Sequence, residues 1–144
     1  MTILVIGIGH PYRRDDGIGP AVAEAVGGLA HHGEGMDLME RWSGCDRLVL
    51  VDATCSGAAP GAILVFDAST ADLPTGLLPK GSHVIGPAEG IAMARLLGRL
   101  PPAVWVVGVE GADFSPGEGF SPAVAAALPL AVAEVERLLR SATA

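Results

Sequence analysis

The sequence is poor in aromatic residues, cysteine and positive charge. Of 144 residues, 4% are aromatic and two are cysteines, and nine lysines and arginines face sixteen acidic residues. Cys45 and Cys55 provide neither a disulfide framework nor a zinc-ligand spacing. The net charge of -7 argues against nucleic-acid binding, which usually requires a basic surface. No apolar run reaches the roughly 20 residues that cross a bilayer, and the N-terminus lacks signal-peptide features. We therefore expect a cytoplasmic protein without a nucleic-acid or membrane partner.

Half of the residues are hydrophobic, mainly Ala, Val, Leu and Ile, as expected for buried strands covered by helices. Apolar runs alternate with helical patterns, which predicts an α/β fold with a mostly parallel sheet of about five strands in one domain, residues 1–144. The segment 62–66 follows the preceding strand too closely for a parallel crossover, so we expect it to pair antiparallel. The strands are predicted at 3–6, near 29–32, and at 48–51, 62–66 and 104–107, and the helices at about 17–26, 36–42 and 87–97 and from 122 onward.

Polar residues follow several of the predicted strands. In open α/β sheets the binding crevice lies at the carboxyl ends of the strands, where positively polarised helix N-termini also gather. We expect the topology to place five polar residues at this edge: Asp15, Asp16, Asp52, His83 and Glu110. Two carboxylates and one imidazole would bind a divalent metal such as zinc or nickel. Alternatively, two close aspartates would share a proton and activate water. The sequence does not separate these two chemistries.

Each of these residues also has a structural interpretation. Asp15 or Asp16 would cap the helix that starts near Gly17, an assignment that suits Asp15 better. Asp52 would form a turn, and His83 would bond to loop backbone. Glu110 is expected to be structural or solvated.

The remaining polar pairs are assigned to the surface. Arg13 and Arg14 are expected to be solvated, with a contact to a substrate carboxylate as the alternative. His31 and His32 are expected to be surface residues rather than ligands, because adjacent residues seldom point the same way on a regular element.

Two further patterns have weak support. Gly7 and Gly9 follow a strand as in dinucleotide-binding motifs, but Tyr12 occupies the position of the third glycine. Cys55 lies close to Asp52 in sequence and is a conceivable nucleophile with His83, although an incidental cysteine is the favoured interpretation.

Four blocks of sequence, in order, closely resemble the hydrogenase maturation protease family and together span nearly the whole chain. Any one block is weakly specific, whereas the ordered set is specific. The blocks are ILVIGIGHP at 3–11 with RDDGIGP at 14–20, LVLVDA at 48–53 with the Ser-Gly and Pro-Gly pairs up to residue 61, GSHVIGPAE at 81–89, and VVGVE at 106–110 with GFSP at 119–122.

The resemblance implies a twisted sheet flanked by helices on both faces, a three-layer α/β fold. It also implies an endopeptidase that removes a C-terminal extension from the large-subunit precursor of a nickel–iron hydrogenase. In this family, the nickel already inserted in the precursor is what the protease is thought to recognise. The metal-contacting positions of the family match Asp16, Asp52 and His83, the residues expected to carry metal contact and catalysis here.

The chain departs from the family pattern at a few positions. His10 replaces a usual Asn, Arg14 lies where Gly is frequent, and His32 lies near the position of an acidic residue. These departures affect substrate contact more than the class of activity.

Three hypotheses follow. The first is an aspartic-type or metal-assisted endopeptidase that contacts the nickel of the precursor through Asp16, Asp52 and His83. In it, the loops 67–82 and 111–120 grip the extension. The second is a non-catalytic module that binds and checks the metal centre during hydrogenase assembly. The third is a hydrolase that uses Cys55.

Overall fold

The computed structural model describes residues 1–79 and 81–141 and contains a five-stranded sheet with four α-helices. The sheet order is β2-β1-β3-β5-β4, and all pairings are parallel except that of β4 with β5. The strands are β1 Ile3–Ile8, β2 Leu29–His31, β3 Arg47–Thr54, β4 Ile63–Asp67 and β5 Ala103–Glu110, and the helices are a 3-10 helix Arg14–Gly17, α1 Ile18–Val26, α2 Gly35–Arg41, α3 Pro87–Leu97 and α4 Pro122–Ser141. The predicted α/β class, mostly parallel sheet and antiparallel fourth strand are confirmed.

The helices cover both faces of the sheet, so the fold has three layers. Alternate side chains of the central strands point to opposite faces, which gives two apolar clusters. One cluster joins α1 and α4 to strand residues such as Val49, Val51 and Val107. The other joins α2 and α3 to strand residues such as Ile6, Leu48 and Val106. Each fully buried Val, Leu or Ile contributes about 1.5–3 kcal/mol through removal of apolar surface from water.

The sheet has a topological switch point between β1 and β3. The chain leaves β1 through α1 on one face and enters β3 from α2 on the other, so the two crossovers diverge between these neighbouring strands. Such a divergence opens a crevice outside the carboxyl ends of the strands. Among the described residues, no helix combines the length and apolar character needed to span a membrane.

Three strands are longer than their apolar runs predict. β3 continues to Thr54 and β5 to Glu110, so Asp52 and Glu110 lie within strands rather than beyond them. The extension arises because the β3–β5 ladder continues to the Thr54–Glu110 pair, whereas the β1–β3 ladder ends at Gly7–Val51. Asp52 is therefore the first residue of β3 beyond its pairing with β1.

Glycines allow α1 to lie directly on the backbone of the two central strands. A Cβ atom on Gly19 would be 2.3 Å from the carbonyl oxygen of Ile8 and 2.5 Å from that of Val51. A Cβ atom on Gly7 would be 2.0 Å from the Gly19 carbonyl oxygen. Gly7 thus allows the close packing of α1. This role agrees with the expectation that Gly7 and Gly9 are not part of a dinucleotide-binding motif.

We expect Gly19→Ala to lower the free energy of unfolding by about 1–3 kcal/mol, the usual cost of overpacking. Intrinsic helix propensity alone would predict a gain of about 1 kcal/mol for the same change. Urea denaturation measures the difference, with Glu24→Ala, an exposed position on the same helix, as the control. A neutral or stabilising Gly19→Ala would contradict the close packing of α1.

Candidate active site

A cavity of about 790 Å³ lies at the carboxyl ends of the central strands. Its lining includes residues that follow β1, the end of β3, the segment 72–79 and the start of α3. Asp16, Asp52 and His83 all line it, so the fold brings the three residues selected from the sequence to one cavity. Their catalytic and metal-contacting roles remain predictions.

Asp16 is placed by the tight turn between β1 and α1. It lies in the 3-10 helix, is 6% exposed, and accepts a hydrogen bond at Oδ2 from the backbone N–H of His10 at 2.9 Å. Gly9 makes this turn possible, because its φ is +145° and a Cβ atom there would lie 1.8 Å from the Asp16 carbonyl oxygen. Any other residue at position 9 would displace Asp16.

Asp52 is a buried carboxylate in an unfavourable environment. It is 4% exposed, and its Oδ1 accepts one hydrogen bond, from the N–H of Ala53 at 2.7 Å. Burial and then the negative charge of Asp16 raise the pKa of Asp52 well above its ordinary value, against the opposing effect of the Ala53 bond. A neighbouring positive charge would offset both the cost of burying the Asp52 carboxylate and its repulsion by Asp16. The pair is therefore suited to receive a cation or to hold a proton.

His83 lies in the segment between β4 and α3 and is half-buried. Its Nε2 is 3.4 Å from Nδ1 of His32, and His32 lines the same cavity. Arg13 and His10 also line it, so Arg13 lies where its alternative interpretation, contact with a substrate carboxylate, requires it to be. Sequence reasoning identified His10 and His32 as departures from the family pattern that affect substrate contact, and the structure places both in the cavity lining.

The other two candidate acids have structural roles. Glu110 accepts hydrogen bonds from the hydroxyls of Thr54 and Ser56, both at 2.7 Å, and from the N–H groups of Ser56 and Gly57. Burial would raise the pKa of Glu110, but these bonds together lower it. Glu110 thus fixes the turn after β3, as its structural interpretation predicted.

Asp15 does not cap α1, and neither does Asp16. The N-cap residue is Gly17, which forms no side-chain cap. Asp15 instead accepts hydrogen bonds from the N–H groups of Ala112, Asp113 and Ser121 and from the Ser121 hydroxyl. Burial would raise the pKa of Asp15, and these bonds reverse that effect and lower it. The capping interpretation was wrong because the carboxylate of Asp15 accepts its hydrogen bonds from donors that are distant in the sequence.

The two adjacent histidines differ in environment. His31 is 8% exposed, accepts from the N–H of Gly33 at Nδ1, and forms a 2.5 Å bond from Nε2 to Asp37. His32 is exposed and stacks on the His31 ring with centroids 4.3 Å apart. The expectation of two surface histidines was wrong for His31, because the chain leaves β2 at that residue and both rings turn to the same side.

Cys55 is poorly suited to act as a nucleophile. Burial first, and then the carboxylates of Glu110, Asp52 and Asp16, raise the pKa of the Cys55 thiol. A raised pKa reduces the thiolate fraction on which cysteine catalysis depends. Within the described part of the chain, the cavity lining does not include Cys55.

The site and fold together define an α/β protein with two buried carboxylates and histidines in a cavity at its switch point. A family model described as hydrogenase maturation protease matches residues 33–138. The chain is 30% identical to the hydrogenase 2 maturation protease of Escherichia coli K12, over 97% of this chain and 92% of that protein. It therefore belongs to the hydrogenase maturation protease family, and its class is that of a peptidase.

Solved structures have the same fold. The hydrogenase maturating endopeptidase HybD of Escherichia coli superposes with a TM-score of 0.79 at 25% identity, covering 99% of this chain and 94% of that one. The nickel–iron hydrogenase maturation protease HybD of Thermococcus kodakarensis gives a TM-score of 0.73 at 21% identity, with 96% of this chain and 99% of that one covered. The latter likeness concerns the fold alone.

We expect Asp52→Asn to raise the thermal midpoint at neutral pH, by roughly 2–4 °C for each kcal/mol of electrostatic cost removed. Because the folded pKa of Asp52 is raised, the folded state binds more protons than the unfolded state between the ordinary value of 3.8 and the raised one. Wild-type stability therefore falls as pH rises through this window. The advantage of Asp52→Asn should be full above the window and vanish below pH 3.8.

Thermal unfolding from pH 3 to pH 8 measures this difference, with the exposed Asp67→Asn as the control. An advantage of Asp52→Asn that is independent of pH, or a loss of stability at neutral pH, would contradict the assigned electrostatics.

Cys55→Ala tests the cysteine hypothesis. We expect its peptidase activity to stay within about twofold of wild type, because the thiol lies outside the cavity and forms no catalytic contact. Initial rates of precursor cleavage give the comparison. A loss of activity in a folded Cys55→Ala protein would restore Cys55 as a candidate nucleophile.

Proposed function

We propose that this protein is the endopeptidase that removes the C-terminal extension from a nickel-loaded large-subunit precursor of a nickel–iron hydrogenase. The observation that carries the proposal is that Asp16, Asp52 and His83 line one cavity in a chain that belongs to the maturation protease family. The nickel ion belongs to the substrate in this proposal.

The electrostatics of the cavity favour a positively charged substrate group. Burial, and then the charge of Asp16, raise the pKa of Asp52, so a negative charge on Asp52 is unfavourable in the cavity. A divalent ion carried by the precursor would neutralise both carboxylates. The imidazole of His83 adds a ligand that suits nickel better than it suits magnesium or calcium.

Contact with the nickel centre would orient the adjoining peptide bond, and orientation alone supplies a large part of many catalysed rates. Two routes to the attacking water fit this donor set. In the aspartic route Asp52 takes the proton of the water, which the arriving positive charge assists by favouring the carboxylate form. In the metal-assisted route the water is activated at the nickel itself.

The extension would lie along the segment 72–79. Leu73, Leu77 and Leu78 from this segment line the cavity, together with the exposed Val84. Lys80 lies outside the described residues. The loop 111–120 was expected to help grip the extension, but Asp15 ties it down through Ala112 and Asp113. We therefore assign the grip to the segment 72–79.

A non-catalytic checkpoint module would use the same residues, so turnover is the discriminating property. Purified protein is incubated with nickel-loaded or nickel-free precursor, and the intact mass of the precursor is followed with time. We expect loss of a C-terminal peptide from the nickel-loaded form alone. Nickel-dependent binding without cleavage would favour the checkpoint module, and equal cleavage of both forms would contradict recognition through nickel.

We expect Asp16→Asn and Asp52→Asn each to lower the processing rate by at least about 100-fold, as removal of an acid–base group does. Asp67→Asn, an exposed aspartate outside the cavity lining, should process normally. The pH profile of the processing rate separates the two routes. If Asp52 is the base, the rate of Asp52→Asn should no longer level off at alkaline pH, whereas in the metal-assisted route that plateau should remain. A near-normal rate in Asp16→Asn would overturn the role of that residue.

A further inference from the structure

His32 and His83 form an imidazole pair at the cavity, although they are far apart in sequence. His32 follows β2 directly, and His83 precedes α3. His32 Nδ1 lies 3.4 Å from His83 Nε2, the two ring centroids are 5.1 Å apart, and both residues line the cavity. Two nitrogens bound at ~2.0–2.1 Å to one tetrahedral ion are separated by about 3.4 Å. The pair thus has the spacing of two ligands to a single ion.

From this geometry we infer that His32 and His83 together bind one divalent transition-metal ion of the nickel type. His32 is the added ligand, so this chain contacts the ion through two imidazoles. The inference deepens the proposed function and rests on it for the source of the ion, the nickel centre of the precursor. The binding of Ni²⁺ by the pair is itself a property of the protein alone.

The surroundings of His32 leave the lone pair on Nδ1, the ring nitrogen nearest to His83. The N–H of Glu34 donates to His32 Nδ1 at 3.3 Å, which identifies Nδ1 as the unprotonated nitrogen. The other nitrogen, Nε2, faces Asp37 Oδ2 at 4.0 Å, and a carboxylate there favours a proton on Nε2. A metal ion would replace two long hydrogen bonds, the one from Glu34 at 3.3 Å and the one between the two imidazoles at 3.4 Å.

Asp37 is itself fixed, which helps to orient the ring of His32. His31 Nε2 bonds to it at 2.5 Å, and Arg41 Nε lies 3.6 Å from the same oxygen. The His32 ring also stacks on His31. These contacts pre-orient a side chain that is otherwise half exposed.

A competing location for a metal is the trio of His31, His32 and Asp37, whose ligand atoms lie within 4.8 Å of one another. His31 is a poor ligand there because both of its nitrogens are already bonded, one to the Gly33 N–H and one to Asp37. Binding at the trio would break two bonds of a buried ring. Binding at the pair of His32 and His83 would replace only long, solvent-exposed hydrogen bonds, at 3.3 and 3.4 Å.

Two imidazoles also predict which ion binds. Imidazole nitrogen suits nickel, zinc and copper, whereas magnesium and calcium prefer oxygen ligands. The isolated protein should therefore bind Ni²⁺ and show no competition from Mg²⁺. The carboxylates Asp16 and Asp52 line the same cavity and add negative charge that attracts the ion.

Calorimetric titration of the purified protein with Ni²⁺ tests the inference. We expect His32→Ala and His83→Ala each to weaken binding by at least tenfold, and the double variant to lose little more, because one ion needs both ligands. Asp67→Asn, an exposed aspartate outside the cavity lining, should keep wild-type affinity for Ni²⁺. X-ray absorption of bound Ni²⁺ should count two imidazoles in wild type and one in His32→Ala.

The inference is overturned if His32→Ala, checked for native unfolding behaviour, binds Ni²⁺ as tightly as wild type, or if wild type does not bind Ni²⁺. The competing trio is supported instead if His31→Gln weakens binding while His83→Ala does not. The precursor assay is separate from these measurements. Wild type that binds Ni²⁺ through both imidazoles but cleaves no precursor would refute the proposed function and leave the imidazole pair standing.

Discussion

The close approach of α1 to the backbone of β1 and β3 is the constraint on which the site depends. Gly7 and Gly19 carry no side chain at this contact, so the helix rests on the strand carbonyls. Asp16 lies two residues before the start of α1 and Asp52 lies near the end of β3, so the position of the helix influences how near the two carboxylates are. The close packing that Gly7 and Gly19 allow therefore contributes to the raised pKa of Asp52, which arises first from burial and then from the charge of Asp16.

Acidic residues at one edge of the sheet acquire different roles through their hydrogen-bond donors. Asp15 and Glu110 each receive several bonds from backbone N–H groups and hydroxyls, and these bonds lower their pKa values despite burial. Asp52 receives one such bond and lies beside Asp16. Asp15 and Glu110, which accept several hydrogen bonds, fix loops. Asp16 and Asp52, which accept few, face the cavity. The number of donors, rather than the residue type, separates structural from reactive carboxylates here.

The cavity combines this negative pair with imidazole nitrogens and an apolar segment. Such a combination matches a substrate that carries a transition-metal ion next to a peptide, as a maturation protease would require. His32 gives this member of the family an imidazole beside His83, and the fixed carboxylate of Asp37 orients it. In the proposed mode of metal contact, His32 adds an imidazole nitrogen to the groups that Asp16, Asp52 and His83 would provide.

The sequence by itself determined the order of strands and helices, the antiparallel fourth strand and the membership of Asp16, Asp52 and His83 in one edge of the sheet. Apolar periodicity and strand-end position are local signals, and the carboxyl ends of parallel strands meet wherever the sheet forms. The strand ends, the partners of Asp15 and Glu110, and the contact of His32 with His83 were decided only by the tertiary structure. A ladder extends as far as its neighbour allows, and hydrogen-bond donors about 50 to 100 residues away leave no trace in the local sequence.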